Sequence, residues 1–311
     1  MKITAIDRRA HPLDASFSVW KAPDGWTLRR MDWPQPDPEA GRGSILFASG
    51  RGDFIEKYLE AYGHWHSRGW NVTSFDWRGQ GDSRGDIIGG HLDSFDPLVD
   101  DLDALVSEWL GATSGPHILI GHSMGGHLVM RLLAERDPKI DAAILVAPMI
   151  GINGKPVPQP LSAKVAKFLS LLGLRRRKAW KDNERPTLPG ASRQRLLTHC
   201  AERYEDELWW KGKEPGYALG PPSWGWLDSA FRSITRLTPD IIRRIRIPIL
   251  ILGTERDRLV SPEAIERAAQ TLERAELLMF SDAAHELLRE ADPVRTQALT
   301  RIDAFLDEHA R

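Results

Sequence analysis

Six short, nearly uninterrupted apolar runs recur along this chain, each followed by glycine, proline or a polar turn. They are Ser44–Ser49, Asn71–Asp76, His117–Ile120, Ala142–Ala147, Pro248–Leu252 and Ala275–Phe280. Runs of this kind are how strands buried on both faces read. Helical patterns lie between them, at Ile55–Trp70, Pro97–Leu110, His127–Ala134, Glu263–Leu272 and Val294–His309. Strand–helix alternation predicts an α/β fold with a mostly parallel central sheet and helices on both faces. Two further strands are predicted within Phe17–Trp33, around the turn Pro23-Asp24-Gly25. Functional loops are then expected at the carboxyl ends of the strands.

The alternation stops after Pro148. Between Met149 and Leu237 no strand-like run appears, and Pro, Trp and basic residues accumulate. This stretch reads as an inserted helical cap, 149–237, interrupting a core formed by 1–148 and 238–311. A length of 311 residues accommodates one large domain with such an insertion. Lys and Arg total 42 against 43 Asp and Glu, so no nucleic-acid partner is expected. The single cysteine, Cys200, excludes an internal disulfide and a cysteine-based zinc site. Neither a metal nor an organic cofactor is expected. The first residues carry Asp7, Arg8 and Arg9 and lack a signal-like apolar stretch. No run is long and apolar enough to span a bilayer, so the expected compartment is the cytoplasm. Oligomeric state is not legible.

Gly121-His122-Ser123-Met124-Gly125 is G-x-S-x-G, directly after an apolar run and directly before a helical pattern. That context is the one in which a serine is held on a sharp strand-to-helix turn with its hydroxyl exposed. The glycines remove side chains that would block the close approach of strand and helix. The following helix N-terminus supplies positive potential where an oxyanion develops.

A serine nucleophile needs a base, and the base needs an orienting carboxylate. In this topology the order along the chain is Ser, acid, His. His199 lies in the insertion and His309 in the terminal segment. His285 follows the last apolar run, where a loop meets a helix, and is the predicted base. Asp257, in Gly253-Thr254-Glu255-Arg256-Asp257, is the predicted acid, with Glu255 as runner-up. The backbone N–H groups of Met124 and of Arg51, in Ser49-Gly50-Arg51-Gly52, are the predicted oxyanion donors.

Four stretches carry a resemblance. They are Gly50-Arg51-Gly52-Asp53-Phe54-Ile55-Glu56-Lys57-Tyr58, Phe75-Asp76-Trp77-Arg78-Gly79-Gln80-Gly81-Asp82-Ser83, Gly121-His122-Ser123-Met124-Gly125-Gly126 and His285-Glu286-Leu287-Leu288. Together the chain resembles the α/β-hydrolase family of bacterial lysophospholipases and monoacylglycerol lipases. The resemblance implies an α/β-hydrolase fold, a Ser123–Asp257–His285 triad, an oxyanion hole at Arg51 and Met124, and a helical cap over an acyl pocket. One departure is Ser49, which stands where such families usually place a histidine. The stretch Arg78–Ser83 is expected to order loops rather than to touch substrate.

In the insertion, Leu161, Val165, Phe168, Leu169 and Leu172 share one helical face in the pattern Leu161–Leu174. Leu161–Arg185 holds eight Lys or Arg against two Asp or Glu. The expectation is that the stripe packs on the core and the charges are solvated. The alternative is peripheral contact with an anionic lipid surface. Trp209, Trp210, Trp224 and Trp226, with Phe231, are expected either to line an acyl channel or to hold the cap to the core.

The functional expectation is a serine carboxylic-ester hydrolase acting through an acyl-enzyme. The resemblance points it at monoacyl glycerides or lysophospholipids. An amidase or aminopeptidase would keep the triad and add a cap carboxylate for the substrate amine, among Glu202, Glu205, Asp206 and Glu207. A third reading is an inactive hydrolase fold that only binds a ligand.

Overall fold

The computed structural model describes residues 6–37, 41–85, 87–154, 156–180 and 193–310. Eight strands form one sheet: β1 Ser16–Lys21, β2 Thr27–Trp33, β3 Gly43–Ala48, β4 Trp70–Phe75, β5 His117–His122, β6 Ala142–Val146, β7 Ile249–Thr254 and β8 Ala275–Phe280. Their spatial order is β1-β2-β4-β3-β5-β6-β7-β8. The first two strands pair antiparallel and β2 is antiparallel to β4, whereas every pairing from β4 to β8 is parallel. Strands β3, β6 and β7 are buried at every residue, which is why their sequences are apolar without alternation. The predicted mostly parallel sheet is therefore present.

Two apolar layers cover it. One contains α2 (Asp96–Ala112), α3 (Met124–Arg136) and α9 (Pro262–Thr271), packed with Trp77 and Trp109. The other contains α1 (Leu59–His66) and α10 (Asp292–His309), packed with Tyr58, Tyr62, Trp65 and Trp70. Trp65, Trp70, Trp77 and Trp109 are fully buried. Each such side chain contributes roughly 1.5–3 kcal/mol or more of burial. Much of the tryptophan in this chain therefore serves the sheet layers.

The predicted helix Ile55–Trp70 is shorter than expected. A single 3-10 turn, Ile55–Tyr58, leads into α1, which stops at His66. Gly69, at φ +90, turns the chain, and Trp70 opens β4. The aromatic periodicity continued past the break because Trp65 and Trp70 enter the same apolar layer from different elements.

After β6 the chain leaves the sheet. Helices α4 (Gln159–Leu169), α5 (Arg193–Leu197), α6 (Ala201–Lys213) and α7 (Trp224–Arg236) follow, then the short α8 (Pro239–Ile242), before β7. The predicted helix Leu161–Leu174 ends early. Ser170–Leu174 is one wide turn containing Gly173 at φ +83. The expectation that its apolar stripe packs on the core is overturned for four of its five residues, Leu169 alone of the five being half-buried. Leu161, Phe168 and Leu172 are 52–60% exposed, Leu171 is 75% exposed, and Val165 is exposed as well. The reason is that α4 rests on α7 through its small residues, with Ala166 and Ser170 buried. The inner face of α7, including Trp226 and Ala230, is already committed to the core. Residues 181–185 of the basic stretch lie outside the described residues.

Candidate active site

Ser123 sits between the end of β5 and the start of α3 with φ 52 and ψ −115. A non-glycine residue in that region carries strain of order 1–3 kcal/mol. Neighbouring backbone holds it there. The Ser123 N–H donates to the Val146 carbonyl at 2.9 Å, and its carbonyl accepts from His127 and Met149. The motif glycines answer to close contacts. A Cβ on Gly121 would stand 2.7 Å from Gly126 Cα, and one on Gly125 would stand 2.0 Å from the Ala48 carbonyl oxygen.

His285 Nε2 lies 2.8 Å from Ser123 Oγ, and His285 Nδ1 lies 2.7 Å from Asp257 Oδ2. The other carboxylate oxygen, Oδ1, accepts the Leu259 and Val260 N–H groups at 2.7 and 3.0 Å. Asn153 donates to the Asp257 carbonyl at 2.7 Å. Both Asp257 and His285 are 3% exposed. Burial works against an imidazolium at His285. The Asp257 carboxylate outweighs it, by charge and by hydrogen bond, with Glu286 and Asp53 adding in the same sense. The His285 pKa is therefore raised above its ordinary 6.5. Glu255, the runner-up acid, faces solvent. His199 meets Glu290 and His309 meets Glu276, so neither approaches Ser123.

The Arg51 loop is tightly bound on both sides of the predicted donor. The Gly50 N–H donates to Asp53 Oδ2 at 2.8 Å, and the Gly52 N–H donates to the Gln80 side-chain oxygen. Among the described residues neither the Arg51 nor the Met124 N–H is taken by another group. The Ser49 carbonyl accepts from Trp77 Nε1 at 2.7 Å, and Ser49 Oγ is buried with no partner. Ser49 Oγ therefore gives the loop no side-chain support, whereas Asp53 ties it down at Gly50. Arg78 is committed to Asp24 and Asp101, as expected of a loop-ordering residue. Gln80, from the same stretch, reaches the oxyanion loop directly.

Asp53 is the residue that sequence reasoning missed. Burial alone would raise its pKa, yet the Lys57 ammonium at 2.6 Å and His122 hold the carboxyl far below the usual range. Tyr58 and His122 Nδ1 approach it as well. Lys57 continues the network to Glu286 at 2.6 Å and Glu207 at 3.2 Å, and Arg289 closes it on both of those carboxylates. Adjacent acidic and basic residues in Asp53–Lys57 and Glu286–Arg289 were the available signal. Their pairing is long-range and could not be read from spacing.

A cavity of about 470 Å³ opens at Ser123 and His285. Met149, Leu196, Leu219, Trp224, Trp226 and Phe231 contribute apolar wall. The four predicted cap tryptophans divide. Trp224 and Trp226 face the cavity. Trp209 and Trp210 do not, because Trp210 stacks on His11 and donates to the Arg8 carbonyl, joining the cap to the N-terminal segment. Trp180, which also lines the cavity, was not singled out.

Residues 39–292 match the Hydrolase_4 family, described as serine aminopeptidase, S33. The chain is 32% identical over 284 residues to a probable lysophospholipase L2 of Haemophilus influenzae, covering 88% of this chain and 86% of that protein. It is 24% identical over 293 residues to a monoacylglycerol lipase of Mycolicibacterium smegmatis, covering 92% of each. Among solved structures, a soluble variant of Saccharomyces cerevisiae monoglyceride lipase superposes with a TM-score of 0.72 at 18% identity, covering 98% of this chain and 99% of that one.

Proposed function

Because the chain belongs to the α/β-hydrolase family described as serine aminopeptidase, S33, we propose that it is a serine hydrolase of monoacyl lipid esters. The observation that carries the reading is the unbroken hydrogen-bond chain Ser123–His285–Asp257, at 2.8 and 2.7 Å. Relatives named lysophospholipase and monoacylglycerol lipase support the lipid-ester class.

That geometry supports the following mechanism. Ser123 Oγ attacks the acyl carbonyl carbon while His285 Nε2 accepts its proton. Asp257 keeps the ring oriented and stabilises the imidazolium. The Arg51 and Met124 N–H groups receive the oxyanion, aided by the N-terminus of α3. Collapse breaks the ester C–O bond, and the imidazolium gives its proton to the leaving alcohol. Water, deprotonated by His285, then attacks the acyl-enzyme. The fatty acid leaves and the serine is restored. The apolar cavity wall suits the acyl chain.

An amine-specific reading finds none of its four named cap carboxylates at the site. None of Glu202, Glu205, Asp206 and Glu207 lines the cavity. Glu207 is buried among Lys57, Arg193, Lys211 and Arg289, and Asp206 meets Arg8 and Arg9. The exposed stripe of α4, beside Lys164, Lys167 and Arg175, supports peripheral contact with an anionic lipid surface. Among the described residues no helix is long and apolar enough to cross a membrane.

The test is hydrolysis of a monoacyl ester by purified protein, with Ser123→Ala as control. Loss of about 10⁴-fold or more in kcat is expected on removing the nucleophile. Fluorophosphonate labelling of wild type, absent in Ser123→Ala and in His285→Ala, gives a second readout. Undiminished turnover by Ser123→Ala refutes the proposal.

A further inference from the structure

Arg51 serves the site twice. Its backbone is a predicted oxyanion donor, while its side chain runs into the same cavity. The guanidinium Nη2 donates to two backbone carbonyls, Gly89 at 2.9 Å and Gly220 at 3.1 Å. The Trp226 ring supports it, with Cζ 5.0 Å from the ring centroid. Nε is buried with no partner, and Nη1 makes no bond among the described residues. Among the described residues no carboxylate meets this side chain.

That sets Arg51 apart from the other inward-facing guanidiniums. Arg78 meets Asp101 and Asp24, Arg131 meets Asp96 and Glu135, Arg203 meets Glu60 and Asp292, and Arg289 meets Glu207 and Glu286. A buried cation without a counter-ion is costly, and the cost is recovered only when an anion arrives. Burial, with Arg193 nearby, pushes the Arg51 pKa down to about 9. Arg193 and Lys211 line the same cavity, sharing Glu207. Asp53 and Glu286 line the cavity too, but both are paired with Lys57, so among the described residues Arg51 is the lining cation without a carboxylate. Nη1, with no bond among the described residues, is left for a charge-assisted contact with a phosphate oxygen.

We propose that Arg51 binds the phosphate of a lysophospholipid head group, making the protein prefer a phosphate-bearing monoacyl lipid over a neutral monoacylglycerol. The inference rests on the hydrolase reading above. In a glycerol-based lysophospholipid six bonds separate the ester carbonyl carbon from phosphorus. One residue thus addresses both ends of the polar part, its N–H at the reacting carbonyl and its side chain at the phosphate.

The experiment compares kcat/KM for 1-acyl-lysophosphatidylglycerol and for 1-monoacylglycerol of the same chain length. Wild type, Arg51→Met and Arg51→Lys are measured. The backbone donor survives both substitutions, so the ratio of the two substrates is the readout rather than either rate. A charge-assisted contact is worth roughly 10- to 100-fold, so the ratio is expected to fall by that factor in Arg51→Met and to recover in part in Arg51→Lys. An independent arm needs only wild type. The ether analogue 1-O-alkylglycerol-3-phosphate is expected to inhibit at least ten-fold more tightly than 1-O-alkylglycerol, and inorganic phosphate is expected to weaken that difference. If both esters are hydrolysed with a ratio that Arg51→Met leaves unchanged, or if the two ethers inhibit equally, the phosphate assignment is overturned and the hydrolase reading stands. If wild type turns over neither ester, the hydrolase reading itself fails.

Discussion

Replacing Gly125 by alanine adds one carbon where no neighbour can yield cheaply. The new Cβ would stand 2.0 Å from the Ala48 carbonyl oxygen and 2.5 Å from that of Ser49. An ordinary contact begins near 3.4 Å, so backbone must separate by about 1.4 Å. The atoms in the way are the end of β3 and the loop that carries the Arg51 N–H. Overpacking of this kind destabilises by roughly 1–3 kcal/mol or more. Shifting a donor by an ångström forfeits an oxyanion-hole contact, about 10²–10³-fold in kcat. The expected result is a folded protein with a depressed Tm and with kcat on a p-nitrophenyl ester lowered by at least 10²-fold. KM should change little, because the cavity wall is untouched. Gly212→Ala is the internal control. It lies exposed in α6 with nothing within 4 Å of its Cβ, and alanine there should stabilise by roughly 0.5–1 kcal/mol without affecting turnover. A Gly125→Ala protein with wild-type Tm and kcat within three-fold of wild type would refute the argument that this glycine is demanded by strand–helix approach.

The raised pKa of His285 predicts that kcat/KM climbs with pH through a midpoint above 6.5, since the base must be neutral; Asp257→Asn should lower that midpoint. The same shift has a linkage consequence. The imidazolium–Asp257 attraction stabilises the fold fully below 6.5 and is lost as pH rises through the folded pKa. The stability gap between wild type and His285→Gln should therefore narrow on going alkaline, as read by urea unfolding at pH 5.5 and 9. Asp53→Asn should cost near the lower end of about 3–5 kcal/mol in urea unfolding, because Lys57 keeps Glu207 and Glu286; a loss under about 1 kcal/mol contradicts the brace assigned to it. Phe168→Glu combined with Leu171→Glu should weaken sedimentation with anionic vesicles while turnover of a water-soluble ester persists, and undiminished vesicle binding speaks against the membrane reading.

The architecture was legible because its signals are local. Strands β3, β5, β6 and β7 announce themselves as apolar runs, and Ser123, Asp257 and His285 each follow such a run at its carboxyl end. Topology then brings three residues that are distant in sequence into contact. What escaped was set by packing between elements. The outward face of α4 depended on which helix claimed the core first, and α7 did. The split of Trp209 and Trp210 from Trp224 and Trp226 depended on where the N-terminal segment lay. Asp53 and Glu286 looked like ordinary surface charges, because the Lys57 that neutralises both lies on the same stretch as only one of them.

Glu207 belongs to α6 in the inserted segment, yet Lys57 and Arg289, two of its four cationic neighbours, belong to elements outside that segment. Lifting α6 away would carry Glu207 off with Lys211 and leave Lys57 and Arg289 to share Glu286, with Asp53 remaining on Lys57. Such a separation costs several kcal/mol. The roof of the cavity is thus riveted along its α6 side. Helix α4 carries no such ion pairs among the described residues, and its Leu161 and Phe168 are exposed. The two sides are thus held by different forces: α6 by charge pairing to elements outside the segment, and α4 by packing on α7.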